Sequence, residues 1–328
     1  MTIPSKLKRG DEVRIVTPAR SIKLPFITDE VKQLAIERLQ EFGLIVSFGK
    51  HVEEKNHFNS SSVESRLNDL HQAFTDPSVK ILLTVIGGFN SNEVLPYLDY
   101  ELIKNNPKIL CGYSDITALA NAIYTKTALV TYSGPHFFDF GDRRGFTYTG
   151  EYFKKCLLSD QPFRVLPSTS WSNDRWANDQ QNRSFIQNEG PFVLSKGSAK
   201  GTIIGGNLIT FKGLSGTPYF PAFHDAILFM EEDSRSDLFT FNSNLTTLTL
   251  RSDFNEVCGI VFGRFQPESR ISKLDLEEVV KNSKMLQRLP IIAGMDFGHT
   301  SPKITFPLGG TCEIDAEKNP PSVTMITH

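Results

Sequence analysis

What this chain lacks removes several classes of function before any motif is read. Cysteine is scarce: Cys111, Cys156, Cys258 and Cys312 lie far apart, with no C-x-x-C or Cys/His ligand spacing among them. That excludes a disulfide framework and a structural zinc site, and it leaves buried thiols in a reducing compartment. An excess of one charge is also missing. Lys and Arg number 35 against 37 Asp and Glu, a net charge of −2, with both signs interspersed. No basic patch therefore points to nucleic acid or to a membrane surface. No apolar run approaches the ~20 residues of a membrane span, and the opening Met1-Thr-Ile-Pro-Ser-Lys-Leu-Lys-Arg has no apolar core of signal-peptide length. A cytoplasmic protein is expected. Neither a Walker A nor a G-x-G-x-x-G stretch occurs, so no nucleotide cofactor is expected, and no metal.

What is present is an ordinary globular composition, 39% apolar and 22% charged, in 328 residues. That length accommodates two domains at ~100–200 residues each. Strand-like and helix-like segments alternate. Glu12 to Thr17 reads as a strand; Thr28 caps a helix whose apolar face runs through Val31, Ala35 and Leu39 to a stop at Gly43. Leu44 to Phe48 is a second strand, and Ser61-Ser-Val-Glu64 reads as a capping box ahead of a helix through Leu67, Leu70 and Phe74. Val79 to Ile86 is almost continuously apolar, as expected of a strand covered on both faces, and Ser91 opens a helix through Leu98. Such alternation implies a parallel sheet with helices on both sides and a ligand beyond the carboxyl ends of its strands. From Asp160 to Lys200 the periodicity fails and Ser, Asn, Asp and Pro accumulate. The expected organisation is an α/β domain over 1–165, a connecting loop over 166–200 and a second domain over 201–328, with strands at Ala226 to Met230, Glu256 to Phe262 and Leu289 to Gly294. A helix from Leu274 to Leu286 precedes the last of these.

Chemistry concentrates at strand ends. Cys111-Gly-Tyr-Ser-Asp-Ile-Thr117 lies between a short strand and a helix with Ile116, Leu119, Ala120 and Ile123 on one apolar face. A serine there sits on a sharp turn, with the first helix amides pointing at whatever its hydroxyl attacks. Ser114 or Asp115 as a plain helix cap fits the same pattern. Glu231 and His299 likewise follow buried strands. Imidazole is a suitable base for a serine hydroxyl near neutral pH, and a carboxylate can hold it in the productive tautomer. Spacing alone does not bring the three together.

The segments Ile86-Gly-Gly-Phe-Asn-Ser-Asn-Glu-Val-Leu-Pro-Tyr-Leu-Asp-Tyr100, Cys111-Gly-Tyr-Ser-Asp-Ile-Thr117, Ile227-Leu-Phe-Met-Glu231 and Phe297-Gly-His-Thr300 resemble the motifs of the LD-carboxypeptidase family, serine peptidases with a Ser-Glu-His triad. Within that family the chain is most similar to the microcin C self-immunity branch, cytoplasmic enzymes that cleave between a C-terminal aspartyl group and a nucleotide. The Gly-Phe-Asn-Ser-Asn run and the Trp171-Ser-Asn-Asp-Arg-Trp176 loop carry that likeness. Ile86 stands where many murein-cleaving relatives have arginine.

The resemblance implies a flavodoxin-like amino-terminal domain, a smaller β-rich carboxyl-terminal α/β domain, and a homodimer. It also implies Ser114 as nucleophile, His299 as base and Glu231 as its orienting partner, with the Gly88 and Asp115 amides as oxyanion hole. Glycine at 88 lets the chain approach closely, and Asp115 starts a helix. Strand alternation sends Glu232 to the face opposite Glu231. Asn207 and Arg235 are candidate substrate contacts, set against turn and surface roles. Trp171 and Trp176 are candidate platforms for a nucleobase, set against a plug in the domain seam. The competing readings are a murein tetrapeptide carboxypeptidase and a protein that sequesters a peptide or aminoacyl-nucleotide ligand without turnover. An ordinary α/β-hydrolase is disfavoured because Ile116 stands where G-x-S-x-G needs its second glycine.

Overall fold

A computed structural model describes residues 1–328, built on two large sheets. The amino-terminal half runs β1 (Glu12–Val16), α1 (Asp29–Glu41), β2 (Ile45–Phe48), α2 (Val63–Thr75), β3 (Val79–Thr84), α3 (Tyr100–Asn105), β4 (Ile109–Cys111), α4 (Ile116–Thr127), β5 (Thr131–Ser133) and α5 (Phe146–Leu157). Five strands pair in parallel in the order β2-β1-β3-β4-β5, the flavodoxin-like arrangement. Burial explains their composition: β3 exposes only Lys80, and all of β4 and β5 is buried.

Local signals mostly act as expected. Thr28 caps α1 by accepting the Val31 amide. Ahead of α2 the cap is Ser62, which accepts the Ser65 amide, so the box expected between Ser61 and Glu64 does not form. The segment after Ser91 is a 3-10 helix, Ser91–Tyr97, with Pro96 inside it, rather than an α-helix through Leu98.

The connection after Asp160 is not structureless. It contains β6 (Phe163–Arg164), β7 (Ser170–Trp171), β8 (Ile186–Gln187) and β9 (Phe192–Ser195). The chain continues through β10 (Ser198–Asn207), α6 (Leu208–Lys212), β11 (Ala226–Glu231), α7 (Leu238–Thr249), β12 (Val257–Gly263), α8 (Lys273–Lys281), β13 (Ile291–Met295), β14 (Phe306–Leu308), β15 (Thr311–Asp315) and β16 (Ser322–Thr327). The helix expected to reach Leu286 stops at Lys281, and Leu286–Arg288 forms a separate 3-10 turn. The second sheet has the order β6-β16-β15-β10-β11-β12-β13-β9, with β10 to β13 parallel. β14 crosses back to pair antiparallel with β5 on the edge of the first sheet. The halves are thus laced: a late strand completes the first sheet, and the early β6 and β9 edge the second.

Between the sheets lies α4. The sequence gives it one apolar face, yet Ile116 to Ile123 are buried without interruption, including Thr117 and Asn121. The reason is close docking on the end of β10. A Cβ at Gly206 would fall 2.5 Å from Thr117 Oγ1, so only glycine admits the helix there. The Asn207 amide donates to Thr117 Oγ1 at 3.0 Å, and Asn121 Nδ2 donates to the Gly205 carbonyl at 2.8 Å. Cys111, Cys156 and Cys312 are buried, whereas Cys258 is partly exposed. No helix is long and apolar enough to cross a membrane.

An aromatic trio ties β11 to the segment that follows β13. Phe229, Phe297 and Phe306 meet pairwise at ring separations of 5.6, 4.9 and 5.2 Å, and each is almost fully buried. Replacing a buried phenylalanine by alanine leaves a cavity and typically costs ~3–5 kcal/mol. Phe306→Ala is expected to lower unfolding stability by that amount in urea titration. A loss under ~1 kcal/mol would show that this seam collapses without cost.

Candidate active site

Ser114 sits at the carboxyl end of β4 with φ of 60°, a left-handed conformation that a non-glycine residue adopts only under constraint from its surroundings. The strained turn projects its hydroxyl ahead of α4. Neither Ser114 nor Asp115 caps that helix with its side chain. The Asp115 carboxylate instead accepts the amides of Asn90 (3.0 Å) and Ser91 (2.9 Å), holding the loop after β3 against the elbow. The close approach there belongs to Gly87: a Cβ on it would lie 3.0 Å from Ser114 Oγ. Gly88 packs instead on Ala19 and Arg20. The amides of Gly88 and Asp115 donate to no acceptor within the protein.

The second half brings the partners. His299 Nε2 lies 3.0 Å from Ser114 Oγ, and its Nδ1 lies 2.7 Å from Glu231 Oε2. Glu231 ends β11 and is cradled by glycine. Gly298 has φ of +106°, and a Cβ there would fall 2.9 Å from Glu231 Oε2. Burial of the imidazole opposes its protonation, but the charge and hydrogen bond of Glu231, with Asp233 adding, outweigh it, so the His299 pKa is raised. Glu232 turns to the other face, its Oε1 3.4 Å from Asn244 Nδ2. Burial and then the neighbouring Glu231 charge push Glu232 up to about 8. Near neutral pH Glu232 is therefore held largely protonated.

Behind this line stands a layer that sequence reasoning missed. The Tyr113 ring lies edge-on to His299 at 5.3 Å and tilts over His136 at 4.4 Å. His136 Nδ1 lies 2.7 Å from Thr84 Oγ1, and burial followed by the Lys303 charge pulls its pKa well below the ordinary value. Lys303 Nζ is buried, pairs with Asp139 Oδ1 at 2.9 Å and lies 4.9 Å from the Tyr113 ring centroid. His136 stands three residues beyond β5, behind Gly134-Pro135, where the local sequence reads as a turn. Tyr113, immediately before the serine, was the one neighbour the sequence did display.

Two cavities flank the Ser114–His299 pair. The smaller, about 290 Å³, is lined by Gly88, Phe89, Ser114, Asp115, Thr210 and Arg235. Arg235 is an exposed side chain that lines this cavity, bound by Asp233 at 2.9 and 3.0 Å and lying over the Phe89 ring. Asn207 is 3% exposed and caps α6 through Thr210, while its Nδ2 finds no acceptor. The larger cavity, about 560 Å³, includes Arg20, Tyr113, Trp176, His299 and Lys303.

Trp176 is 7% exposed, stacked on Phe138 at 4.4 Å, and forms part of the wall of the larger cavity. Trp171 lines a different depression, under the Arg264 guanidinium, whose walls include neither Ser114 nor His299. Asp296, whose carboxylate takes the Ser168 amide at 2.8 Å and the Arg264 guanidinium at 2.6 Å, anchors the segment leading to it.

Geometrically the Ser-His-Glu line can pass a proton from hydroxyl to imidazole while the carboxylate steadies the resulting cation. A base must be neutral to act, so the rate is expected to rise with pH through a midpoint above the ordinary histidine value of about 6.5. Glu231→Gln removes the charge that raises it. The midpoint of the pH–rate profile is then expected to fall, and the plateau to drop on the order of 10⁴-fold. An unmoved midpoint would deny that Glu231 controls the imidazole.

Residues 13–134 match the model of the LD-carboxypeptidase N-terminal domain and residues 200–314 that of the C-terminal domain. The chain is 53% identical over 312 residues to the Bacillus subtilis protein named "Putative carboxypeptidase YocD", covering 95% of each. It superposes on the crystal structure of an MccF-like protein from Bacillus anthracis with a TM-score of 0.98 at 49% identity, over 100% of both chains. It also matches the microcin C7 self-immunity protein MccF solved in complex with aspartyl sulfamoyl adenosine, with a TM-score of 0.89 at 28% identity, covering 100% of this chain and 99% of that one.

Proposed function

The chain belongs to the LD-carboxypeptidase family, and on that premise we propose that it is a serine hydrolase that releases an acidic aminoacyl group from a nucleotide. The observation that carries this reading is the pair of unequal cavities either side of Ser114 and His299. The smaller suits an aspartyl group. Arg235 on its wall can meet a carboxylate, and Asn207 Nδ2, left without an acceptor, is the second donor assigned to it. The larger suits a nucleoside and its linker, with Trp176 as an aromatic wall. The ligand reported for MccF, aspartyl sulfamoyl adenosine, has these two parts.

In this reading His299 Nε2 takes the Ser114 proton as Oγ attacks the acyl carbonyl. The Gly88 and Asp115 amides hold the oxyanion, a kind of contact worth ~10²–10³ in rate per donor. The imidazolium then protonates the leaving nitrogen, and water activated by the same imidazole frees the acyl group from the serine. No step calls for a metal, so EDTA treatment is expected to leave activity unchanged. Loss on chelation with recovery on zinc would overturn that part. The same reading carries a cytoplasmic homodimer, which sedimentation at working concentration checks.

Ser114→Ala is expected to abolish turnover of an aspartyl-adenylate analogue by several orders of magnitude, with the denaturation curve unchanged. Full turnover in that variant would overturn the serine-hydrolase reading, and ligand binding with no turnover in the parent protein would favour the sequestering one. Trp176→Ala separates substrates. Aromatic contact with a base is worth ~1–3 kcal/mol in nucleic-acid sites, about a five- to 150-fold change. kcat/KM should fall by that much more for the adenylate than for an aspartyl amide lacking the base. Equal loss on both would assign Trp176 to packing alone, and faster turnover of a murein tetrapeptide than of the adenylate would favour the cell-wall reading.

A further inference from the structure

We propose that Arg20 is a positioning residue that aims the Gly88 amide at the Ser114 hydroxyl, an inference that rests on reading Ser114 as the nucleophile. The peptide between Gly87 and Gly88 has no side chain at either end. Its environment explains why: a Cβ on Gly87 would strike Ser114, and one on Gly88 would lie 3.1 Å from Ala19 Cβ and 3.2 Å from Arg20 Cγ. Two glycines in succession also leave this peptide the freest in the site to rotate about its flanking bonds. A half-turn would exchange its N–H for its carbonyl, presenting a negative oxygen where an oxyanion must form.

One contact opposes that rotation. Arg20 Nε donates to the Gly87 carbonyl oxygen at 2.9 Å. The peptide is trans, so its C=O and N–H point in opposite directions. A guanidinium holding the oxygen on one side therefore turns the N–H to the other. The Gly88 amide has no acceptor in the protein, as a donor reserved for a reacting atom requires. Arg20 is itself fixed. It follows β1, its backbone bridges to Ser60, and Ser60 Oγ donates to the Ala19 carbonyl at 2.5 Å. The loop is then gripped at both ends, by Arg20 at Gly87 and by the Asp115 carboxylate at Asn90 and Ser91. The cation also polarises the peptide it holds, which makes the N–H a stronger donor.

The test uses the intact protein and a small alkyl fluorophosphonate. Ser114 Oγ attacks phosphorus, fluoride leaves, His299 takes the proton, and the phosphoryl oxygen occupies the place of the oxyanion. Adduct formation is followed by intact mass and peptide mapping across pH. Arg20→Met, which keeps the stem but no donor, is expected to slow phosphonylation roughly 10–1000-fold, up to the loss of one oxyanion donor. Arg20→Lys keeps the charge but not the Nε position, and is expected to react at least about 10-fold more slowly than the parent if donor direction is what counts. In both, the midpoint of the pH profile should stay where it is, because the Ser-His-Glu line is untouched. A general disturbance of the site would move it. Rates within twofold of the parent in both variants, or a shifted midpoint, would overturn the role of Arg20 while leaving Ser114 as nucleophile. Absence of an adduct on Ser114 in the parent protein would overturn the serine reading and this inference together.

Discussion

The docking of α4 on the last residues of β10 is the constraint on which the rest depends. Ser114 stands at the start of that helix, in the first half of the chain. Glu231 is paired in register with Asn207 at the end of β10, in the second half. The distance between nucleophile and carboxylate is therefore set by how closely helix and strand approach, and glycine at 206 sets the approach. Thr117 and Asn121 convert that contact into hydrogen bonds with strand backbone, which fixes sliding as well as separation. A catalytic line tolerates errors of only about half an ångström. Two sheets joined by side-chain packing alone would be a poor way to hold it.

Electrostatics then decides which groups are charged. A histidine buried among apolar groups loses its proton, and His136 shows that outcome beside the Lys303 cation. His299 is buried as well, yet it faces Glu231 at 2.7 Å, and there the carboxylate wins. The two imidazoles, separated by the Tyr113 ring, are thereby driven in opposite directions. Lys303 stays charged because Asp139 sits beside it, although burial works against the cation. Backing the site with a held cation, an aromatic ring and a neutral imidazole keeps its geometry stiff and adds no second base.

Much of this was legible from residues. The apolar run into Gly87-Gly88, the serine between strand and helix, and the strand-end Glu231 and His299 follow from periodicity and from the rule that sites sit beyond strand carboxyl ends. What stayed hidden depends on contacts distant in sequence. Uniform burial of α4 could not be read because Thr117 and Asn121 look like a polar face until the second sheet covers them. Gly205-Gly206 lies at the end of a strand, and Gly206 is pressed against α4, a contact that no local pattern displays. Asp115 looks like a helix cap, but its carboxylate goes to the neighbouring loop. The strands after Asp160 are mostly two residues long and carry no period. For the same reason Trp171 and Trp176, five positions apart, could not be sorted between separate depressions.

The account stands on covalent capture of the acyl group by Ser114. Rapid-quench mass spectrometry of the parent protein with an aspartyl-adenylate analogue, followed by peptide mapping, reads this directly. The account predicts an aspartyl ester that appears on the peptide containing Ser114 and decays as free aspartate accumulates. Steady product release with no adduct at any time, or an adduct on another residue, would contradict it.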